Sequence, residues 1–253
     1  MLTDELDRWA GEGRTATLWW RDDDSARPIP ALDRLLALRA QAAAPLALAV
    51  IPAIVEDETA ARVDSGDDID VLQHGYAHLN HAPPGKRKAE LGPERSADEA
   101  LDELAAGRRR LTALFGARAL DVLVPPWNRI ASALVGRLAS AGFSGLSTYG
   151  PRARSAPGLR QVNAHVDIID WRATRGFVGV DEALALAIGH LRARRTRAAG
   201  DEPTGLLSHH RDHDEAAWAF IGAFLEATAA HPATRWMSAR DAFAAPRRRR
   251  LGP

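Results

Sequence analysis

Cysteine is absent from the 253-residue sequence, which excludes disulfides and thiolate metal sites. Neither charge is in excess, since 33 Lys and Arg balance 33 Asp and Glu, so the chain has no overall field to attract nucleic acid or an anionic membrane. No apolar run approaches transmembrane length, and residues 1–13 are acidic and polar, without the apolar centre of a secretory signal. These absences predict a cytoplasmic protein with neither nucleic-acid nor membrane partners, and they leave its oligomeric state open.

What the sequence does contain is an alternation of strand and helix patterns. Apolar and β-branched runs predict about seven strands, at 15–20, 46–51, 69–73, 119–124, 143–148, 162–169 and 205–208. Amphipathic patterns predict helices between most of them, including 3–10, 56–63, 96–115, 132–142, 181–194 and 216–230. We therefore expect one α/β domain over residues 1–253, built on a parallel sheet closed or nearly closed into a barrel. The arginine-rich tail from about residue 245 is expected to be disordered.

Polar residues follow several of the predicted strands. The carboxyl ends of the strands lead into Asp22 to Asp24, His74, Pro125-Pro126-Trp127, Asp170-Trp171 and His209. In barrels of parallel strands, catalytic groups converge at that end. The sequence therefore predicts one polar opening shared by these five segments.

His74 and His78 indicate what this opening binds. Their spacing of four would place both imidazoles on one face of a helical turn, within reach of one metal ion. Two neutral imidazoles and a carboxylate from Asp22 to Asp24 form a ligand set that leaves a hydrolytic metal one open position for water. His81 ends the same histidine-rich run; it could supply an extra ligand, but it is interpreted as a surface residue.

Five short motifs, in this order, resemble those of the polysaccharide deacetylases of carbohydrate esterase family 4. They are Arg21-Asp22-Asp23-Asp24-Ser25, His74-Gly75-Tyr76-Ala77-His78, Pro125-Pro126-Trp127, Asp167-Ile168-Ile169-Asp170-Trp171 and Leu206-Leu207-Ser208-His209. The resemblance runs from Trp20 to about His210. It implies a distorted (β/α) barrel and a metal-dependent hydrolase that removes N- or O-linked acetyl groups from a carbohydrate.

The resemblance also implies roles for individual residues. Asp24, His74 and His78 would bind one divalent metal ion, for which zinc is expected, and Asp23 would be the general base. His209 would be the general acid, with Asp170 or Asp167 keeping its ring protonated. Pro126, Trp127 and Trp171 would contact the acetylated substrate. The triple aspartate leaves a second register open, in which Asp22 is the base and Asp23 the ligand.

Two departures from the family pattern affect these roles. Val124 occupies the position of the arginine that orients the base in the family, so Arg21, Arg129 or Arg172 would have to replace it. His210 competes with His209, because neighbouring residues of a strand point to opposite faces. The remaining histidines are interpreted as structural or exposed, and they are His165, His190, His213 and His231.

Three functions remain compatible with these residues. The first is the deacetylase, with an acetylated sugar or glycan as its substrate. The second is a carbohydrate-binding or regulatory protein on a degenerate barrel, which the missing arginine favours. The third keeps the metal chemistry but acts on a small non-sugar amide.

Overall fold

The computed structural model of the protein describes residues 1–64, 68–152 and 157–244. The predicted disordered tail lies outside the described residues. In the described part, nine strands form one sheet: β1 (Ala16–Ser25), β2 (Leu46–Val50), β3 (Ile69–His74), β4 (Ala119–Val124), β5 (Gly145–Leu146), β6 (Arg160–Gln161), β7 (Val166–Asp167), β8 (Thr204–Ser208) and β9 (Thr234–Trp236).

The strands run parallel in the order β6-β5-β4-β3-β2-β1-β8-β7. β8 lies along one edge of β1, while β9 and β2 share the opposite edge, β9 pairing with the start of β1 and β2 with its end. Parallel strands need crossover connections, and helices supply most of them. The sheet curls into a half-barrel, so the predicted distorted α/β barrel is confirmed.

Eight α-helices accompany the described part of the sheet. They are α1 (Leu2–Gly11), α2 (Pro30–Ala42), α3 (Asp57–Asp64), α4 (Ala97–Phe115), α5 (Ser132–Val135), α6 (Val180–Arg195), α7 (Glu215–Ala229) and α8 (Ala239–Phe243). Helix α4 begins after an N-cap serine, with the Ser96 hydroxyl accepting a hydrogen bond from the Glu99 amide. Across the described residues, none of these helices combines the length and the apolar character needed to cross a bilayer.

Successive residues of β1 face opposite sides of the sheet. Leu18 and Trp20 pack in the layer between the sheet and the helices, whereas Trp19 packs inside the barrel with apolar residues of β2, β3 and β4. Both layers are buried, which explains why the strands of this sheet have continuous apolar runs instead of strict alternation. Arg21 and Asp23 share the inner side with Trp19 because side chains repeat every two residues along a strand.

The structure corrects several bounds of the sequence-based prediction, among them the strands expected at 143–148 and 162–169, which are limited to Gly145–Leu146 and Val166–Asp167. The helix expected to reach residue 142 ends at Val135, and the chain continues in turns such as that from Arg137 N–H to the Leu134 carbonyl. The sheet has nine strands in the described residues, where about seven were expected, because β6 and β9 have only two and three residues. Strands this short carry no readable period and are fixed by their neighbours.

Candidate active site

The end of β1 places two consecutive aspartates at the same opening. The pairing with β2 is irregular between Asp22 and Ser25, and Asp24 there has a left-handed φ of 67°. A bulge of this kind re-aims a side chain that would otherwise face the opposite side of the sheet, and aspartate tolerates the left-handed conformation. Asp23 and Asp24 therefore both face the opening.

Arg21 holds Asp23 from below. Its Nε lies 2.9 Å from Asp23 Oδ1, and a terminal nitrogen donates to Asp23 Oδ2 at 3.0 Å. Arg21 also donates to the Ser147 hydroxyl at 2.6 Å and to Asn128 Oδ1 at 2.8 Å, and it is fully buried. Among the three arginines considered as substitutes at Val124, Arg21 is thus the one that contacts Asp23.

Asp24, His74 and His78 form a compact group of donor atoms. Asp24 Oδ1 lies 3.0 Å from His74 Nε2 and 3.3 Å from His78 Nε2, and one ligand atom from each residue lies within 4.8 Å of the other two. Ligands about 2.1 Å from a tetrahedral ion are about 3.4 Å apart, close to these separations. The three residues predicted as ligands are therefore brought together.

Backbone contacts set the direction of His74. Its Nδ1 lies 3.0 Å from the carbonyl oxygen of Val124 and donates to it, which leaves Nε2 facing Asp24. A carbonyl on the far nitrogen is the usual outer contact of a metal-binding histidine. Val124 thus takes part through its backbone, although its side chain replaces the arginine of the family motif.

A strained loop, and not a helix, carries His78. His74 ends β3, and the residues that follow include Gly75 with φ 57° and His78 with φ 57°. The predicted helical turn is therefore wrong, although the two imidazoles do meet, with ring centroids 5.1 Å apart. This loop conformation requires glycine at position 75, because a Cβ there would lie 1.8 Å from Glu90 Oε2.

Glu90 is a site residue that the sequence analysis missed. This fully buried carboxylate accepts hydrogen bonds from the backbone amides of Tyr76 at 3.1 Å and Ala77 at 2.8 Å. It thereby fixes the path of the chain between the two histidines. No sequence signal marks it, because a single glutamate in a segment rich in proline and glycine has no pattern that distinguishes it from a surface residue.

The electrostatics of the group favour a bound cation. Burial opposes ionisation of Asp24, yet the hydrogen bonds from His74 and His78 hold the pKa of this carboxyl well below its usual range. Burial also opposes the charged form of His74, but contact with Asp24 raises the pKa of the imidazole. Three polar groups are thus held together by a shared positive charge, which protons or a metal ion can supply.

His209 approaches Asp23 from the other wall. Its Nε2 lies 4.0 Å from Asp23 Oδ2, and its Nδ1 is buried with no hydrogen-bond partner in the described residues. The ring edge contacts Trp171, with centroids 4.6 Å apart, and the Trp171 indole donates to Asp167 Oδ2 at 2.9 Å. Burial raises the pKa of Asp167, which the nearby His209 opposes.

Asp170, one of the two aspartates expected to hold the His209 ring, has no contact with that ring among the described residues. Its carboxylate instead accepts hydrogen bonds from the amides of Arg172, Ala173 and Thr174, which lowers its pKa. Asp170 therefore closes the turn after Ile169, as an aspartate before a tight turn commonly does. Of the two aspartates considered, Asp167 is the one linked to His209, through Trp171.

The second histidine of the pair, His210, points away from the opening. Its Nδ1 lies 2.5 Å from Asp22 Oδ1, and Asp22 also accepts from the Ser208 hydroxyl at 2.6 Å. All three residues are buried. Asp22 is thus enclosed in its own network, which favours the register with Asp23 and Asp24 at the opening.

Pro126 and Trp127 form the rim beside His78. Pro126 is buried, and the Trp127 ring lies 4.4 Å from the His78 ring. Trp127 has φ 55° and ψ 17°, an uncommon conformation for an aromatic residue, and its amide has no hydrogen bond within the described chain. On the opposite rim Trp171 is 37% exposed.

A second group of possible ligands lies near the amino-terminal end of β8. It contains His165, His190 and Glu202, which come from separated segments and so escaped the sequence analysis. The Gly205 amide donates to His165 Nδ1 at 3.1 Å, which leaves the proton on Nε2, 3.3 Å from Glu202. The rings of His165 and His190 stack at 3.4 Å, so their lone pairs do not converge on one point. This group therefore fits a structural contact better than a metal.

The other three histidines do not join the candidate site. His213 is partly buried and accepts from the His209 amide through Nε2 at 3.2 Å. His81 is exposed, and His231 contacts Asp7 at 3.2 Å.

Comparison with known proteins identifies the fold. No protein-family model and no curated protein sequence matches the chain. Solved structures do match it. A Mycobacterium smegmatis protein provisionally assigned as a polysaccharide deacetylase has 15% identity and a TM-score of 0.69, covering 91% of this chain and 90% of its own.

Two further structures show the range of activities on this fold. The Bc1960 peptidoglycan N-acetylglucosamine deacetylase has 15% identity and a TM-score of 0.57, covering 94% of this chain and 96% of its own. The Bacillus anthracis protein BA3943, a pseudoenzyme of carbohydrate esterase family 4, has 14% identity and a TM-score of 0.55, covering 84% of this chain and 60% of its own. The chain has the fold of these deacetylases, as the motif resemblance predicted.

Proposed function

We propose that this chain is a divalent-metal-dependent hydrolase that removes acetyl groups from a carbohydrate. The observation that carries the proposal is the convergence of two sets of groups at one opening. The first is the donor group of Asp24, His74 and His78. The second is the pair formed by Asp23 and His209, whose facing atoms are 4.0 Å apart.

The donor group fits a metal such as zinc. It offers two imidazole nitrogens and one carboxylate oxygen, and Asp24 and His78 keep about a fifth of their side chains exposed at the opening. When bound, a divalent ion supplies Lewis-acid activation of water and of the substrate carbonyl. Asp24, His74 and His78 are the residues that would hold it.

Asp23 is the proposed general base. Two nitrogens of the Arg21 guanidinium contact the two oxygens of its carboxylate, which fixes the orientation of the carboxylate. A positioned carboxylate can take the proton of the attacking water as that water adds to the acetyl carbon.

His209 is the proposed general acid. Its Nε2 lies across the opening from the donor group and can give a proton to the departing amine or alcohol. The unpartnered amide of Trp127 is a donor for the negative charge that develops on the carbonyl oxygen. Trp127 and Trp171 stand on opposite rims, and their aromatic faces suit the apolar face of a sugar and the acetyl methyl group.

Two alternative functions are distinguished from the deacetylase by different experimental outcomes. A carbohydrate-binding protein without catalysis is supported by the pseudoenzyme that shares the fold. The clamp of Arg21 on Asp23 argues against it, because it supplies the contact that Val124 does not. Hydrolysis of a small non-sugar amide uses the same groups and differs only in the substrate.

The test is acetate release by the zinc-loaded protein from a panel of acetylated sugars, with small acetamides beside them. We expect release from at least one sugar, and its loss in Asp23→Asn. Acetate from the small acetamides alone would select the non-sugar amide. Tight sugar binding without acetate from any compound would select the binding protein and refute the hydrolase.

A further inference from the structure

A cleft of about 300 Å³ beside the candidate site is lined by positive charge. One wall is the loop with Lys86 and Arg87, and the other begins at Arg129. Its volume is at the lower end of those that hold small ligands or one substituent of a larger one.

The cations of this cleft have no carboxylate partners. Lys86 and Arg87 are exposed and form no ion pair within the described part of the chain. Arg129 is half-buried, its Nε is buried without a partner, and a terminal nitrogen donates to the Lys88 carbonyl at 2.6 Å. Glu94 is the one acid among the described lining residues, and it pairs with none of these cations.

Several other arginines of the described residues, Arg109 among them, also lack a carboxylate partner, but here three unpaired cations line one cleft. Many of the remaining surface arginines do have close carboxylates, as in the pairs Arg34–Glu215 at 2.6 Å and Arg108–Asp121 at 2.5 Å. Partial burial and the nearby charge of Arg87 lower the pKa of Arg129, and its guanidinium has no carboxylate partner within the described residues. An anion in the cleft would relieve this cost, and guanidinium groups suit carboxylates and phosphates.

The cleft adjoins the proposed catalytic groups. Arg129 stands two positions after Trp127, whose ring contacts His78 at 4.4 Å. The opposite wall belongs to the loop that begins at His78. Asn80 closes that loop, its side-chain oxygen accepting from the amides of Ala82 and Ala89. The cleft therefore lies between the two loops that carry His78 and Trp127.

We propose that the cleft binds an anionic substituent, a carboxylate or a phosphate ester, on the saccharide whose acetyl group is removed. The inference rests on the proposed function for the identity of the saccharide. The anion site itself rests on Arg87 and Arg129.

The direct test is calorimetric titration of the zinc-loaded protein with two probes, inorganic phosphate and glucuronate. The wild type is compared with Arg129→Gln, Arg87→Gln and the control Arg109→Gln, which removes an exposed cation of α4 distant from the cleft lining. We expect Arg129→Gln to weaken binding of the preferred anion about tenfold, as the loss of one charge-assisted hydrogen bond should. Arg87→Gln should weaken it less, and Arg109→Gln should leave it unchanged.

Equal affinities in all four proteins, or no saturable binding by the wild type, would overturn the proposal. Arg87 is fully on the surface, so its variant still decides the matter if Arg129→Gln does not fold. Tighter phosphate than glucuronate binding identifies a phosphate ester, and the reverse order identifies a carboxylate.

Acetate release separates this proposal from the proposed function. Neutral N-acetylglucosamine is compared with its 6-phosphate and with its C6 uronic acid. If none of the sugars releases acetate while Arg129→Gln still loses anion affinity, the hydrolase is refuted and the anion site stands. If acetate is released but the anion titrations do not depend on Arg129 or Arg87, the anion site alone is refuted.

Discussion

At the candidate site, ion pairs and hydrogen bonds between buried groups fix the positions of individual side chains. Arg21 and Asp23 are both almost fully buried, and the guanidinium spans Asp23, Asn128 and Ser147. Such a pair contributes geometry more than stability, but removing one member leaves the other buried and uncompensated.

Arg21→Gln should therefore reduce both stability and activity. We expect unfolding to become easier by about 3–5 kcal/mol, as for other broken buried pairs, together with loss of acetate release. Urea unfolding measures the first effect. Arg34→Gln removes an exposed ion pair and should cost less than about 1 kcal/mol. Equal costs for the two variants would show that the Asp23 clamp has no special role.

The role of His209 can be tested through the leaving group. His209→Gln should slow release of acetate from an amide by about 100-fold or more, because an amine leaves only when protonated. An aryl acetate, whose phenolate leaves without a proton, should be affected much less. Similar losses on both substrates, measured as kcat, would point to a role in binding or structure.

The residue scale also shows what the sequence could and could not reveal. The order of the motifs predicted five residues of the candidate site, which are Asp23, Asp24, His74, His78 and His209. Strand geometry could have selected Arg21 among the three arginines considered, since Arg21 stands two positions before Asp23 and therefore shares its face of the strand. The bulge at Asp24 depends on pairing with β2, and no local pattern encoded it.

At the scale of elements, the loop from β3 to His78 sets the ligand geometry. Gly75 lies against Glu90 Oε2 and the Pro126 ring, and its φ of 57° is left-handed. Any side chain there meets both a steric and a conformational cost.

Gly75→Ala should destabilise the protein by clearly more than the 1–2 kcal/mol typical of a left-handed residue and should weaken metal binding. Gly85→Ala is the matched control, since Gly85 has φ 79° but nothing within 4 Å of its added Cβ. It should show only the conformational cost. Thermal unfolding and zinc titration of both variants check the expectation, which fails if the two variants behave alike.

Elements bounded by clear chemical signals could be predicted closely from the sequence. β4 has the predicted bounds because Gly116 precedes it and Pro125 follows it. Helix α5 ends earlier than predicted and β9 was not predicted, because both depend on packing against distant parts of the chain. The hydrogen bond that Glu90 accepts from the Tyr76 amide could likewise not be predicted, since only the folded chain brings the two residues together.

At the scale of the whole molecule, buried neutral histidines make stability depend on pH. Burial, with the charges of His165 and Arg194, lowers the pKa of His190 to about 3. Burial lowers the pKa of His213 to about 4. Since the unfolded histidines titrate near 6.5, the unfolded state binds more protons below that pH. The stability that these two neutral histidines contribute is fully present above about pH 6.5 and is lost as the pH falls toward 4.

His190→Gln should flatten that decline. Each histidine contributes at most about 1.4 kcal/mol per pH unit, and less where water reaches the ring. Urea unfolding of the wild type and the variant between about pH 7 and 4.5 provides the comparison. Parallel curves would mean that folding does not lower the pKa of His190.

We propose that Asp24, His74 and His78 bind one divalent ion and that Asp23 is not a ligand. Equilibrium dialysis against zinc, followed by metal analysis, tests it on the wild type, Asp23→Asn and Asp24→Asn. We expect one ion per chain in the wild type and in Asp23→Asn, and loss of the ion in Asp24→Asn. Loss of the ion from Asp23→Asn with retention in Asp24→Asn would contradict the assignment.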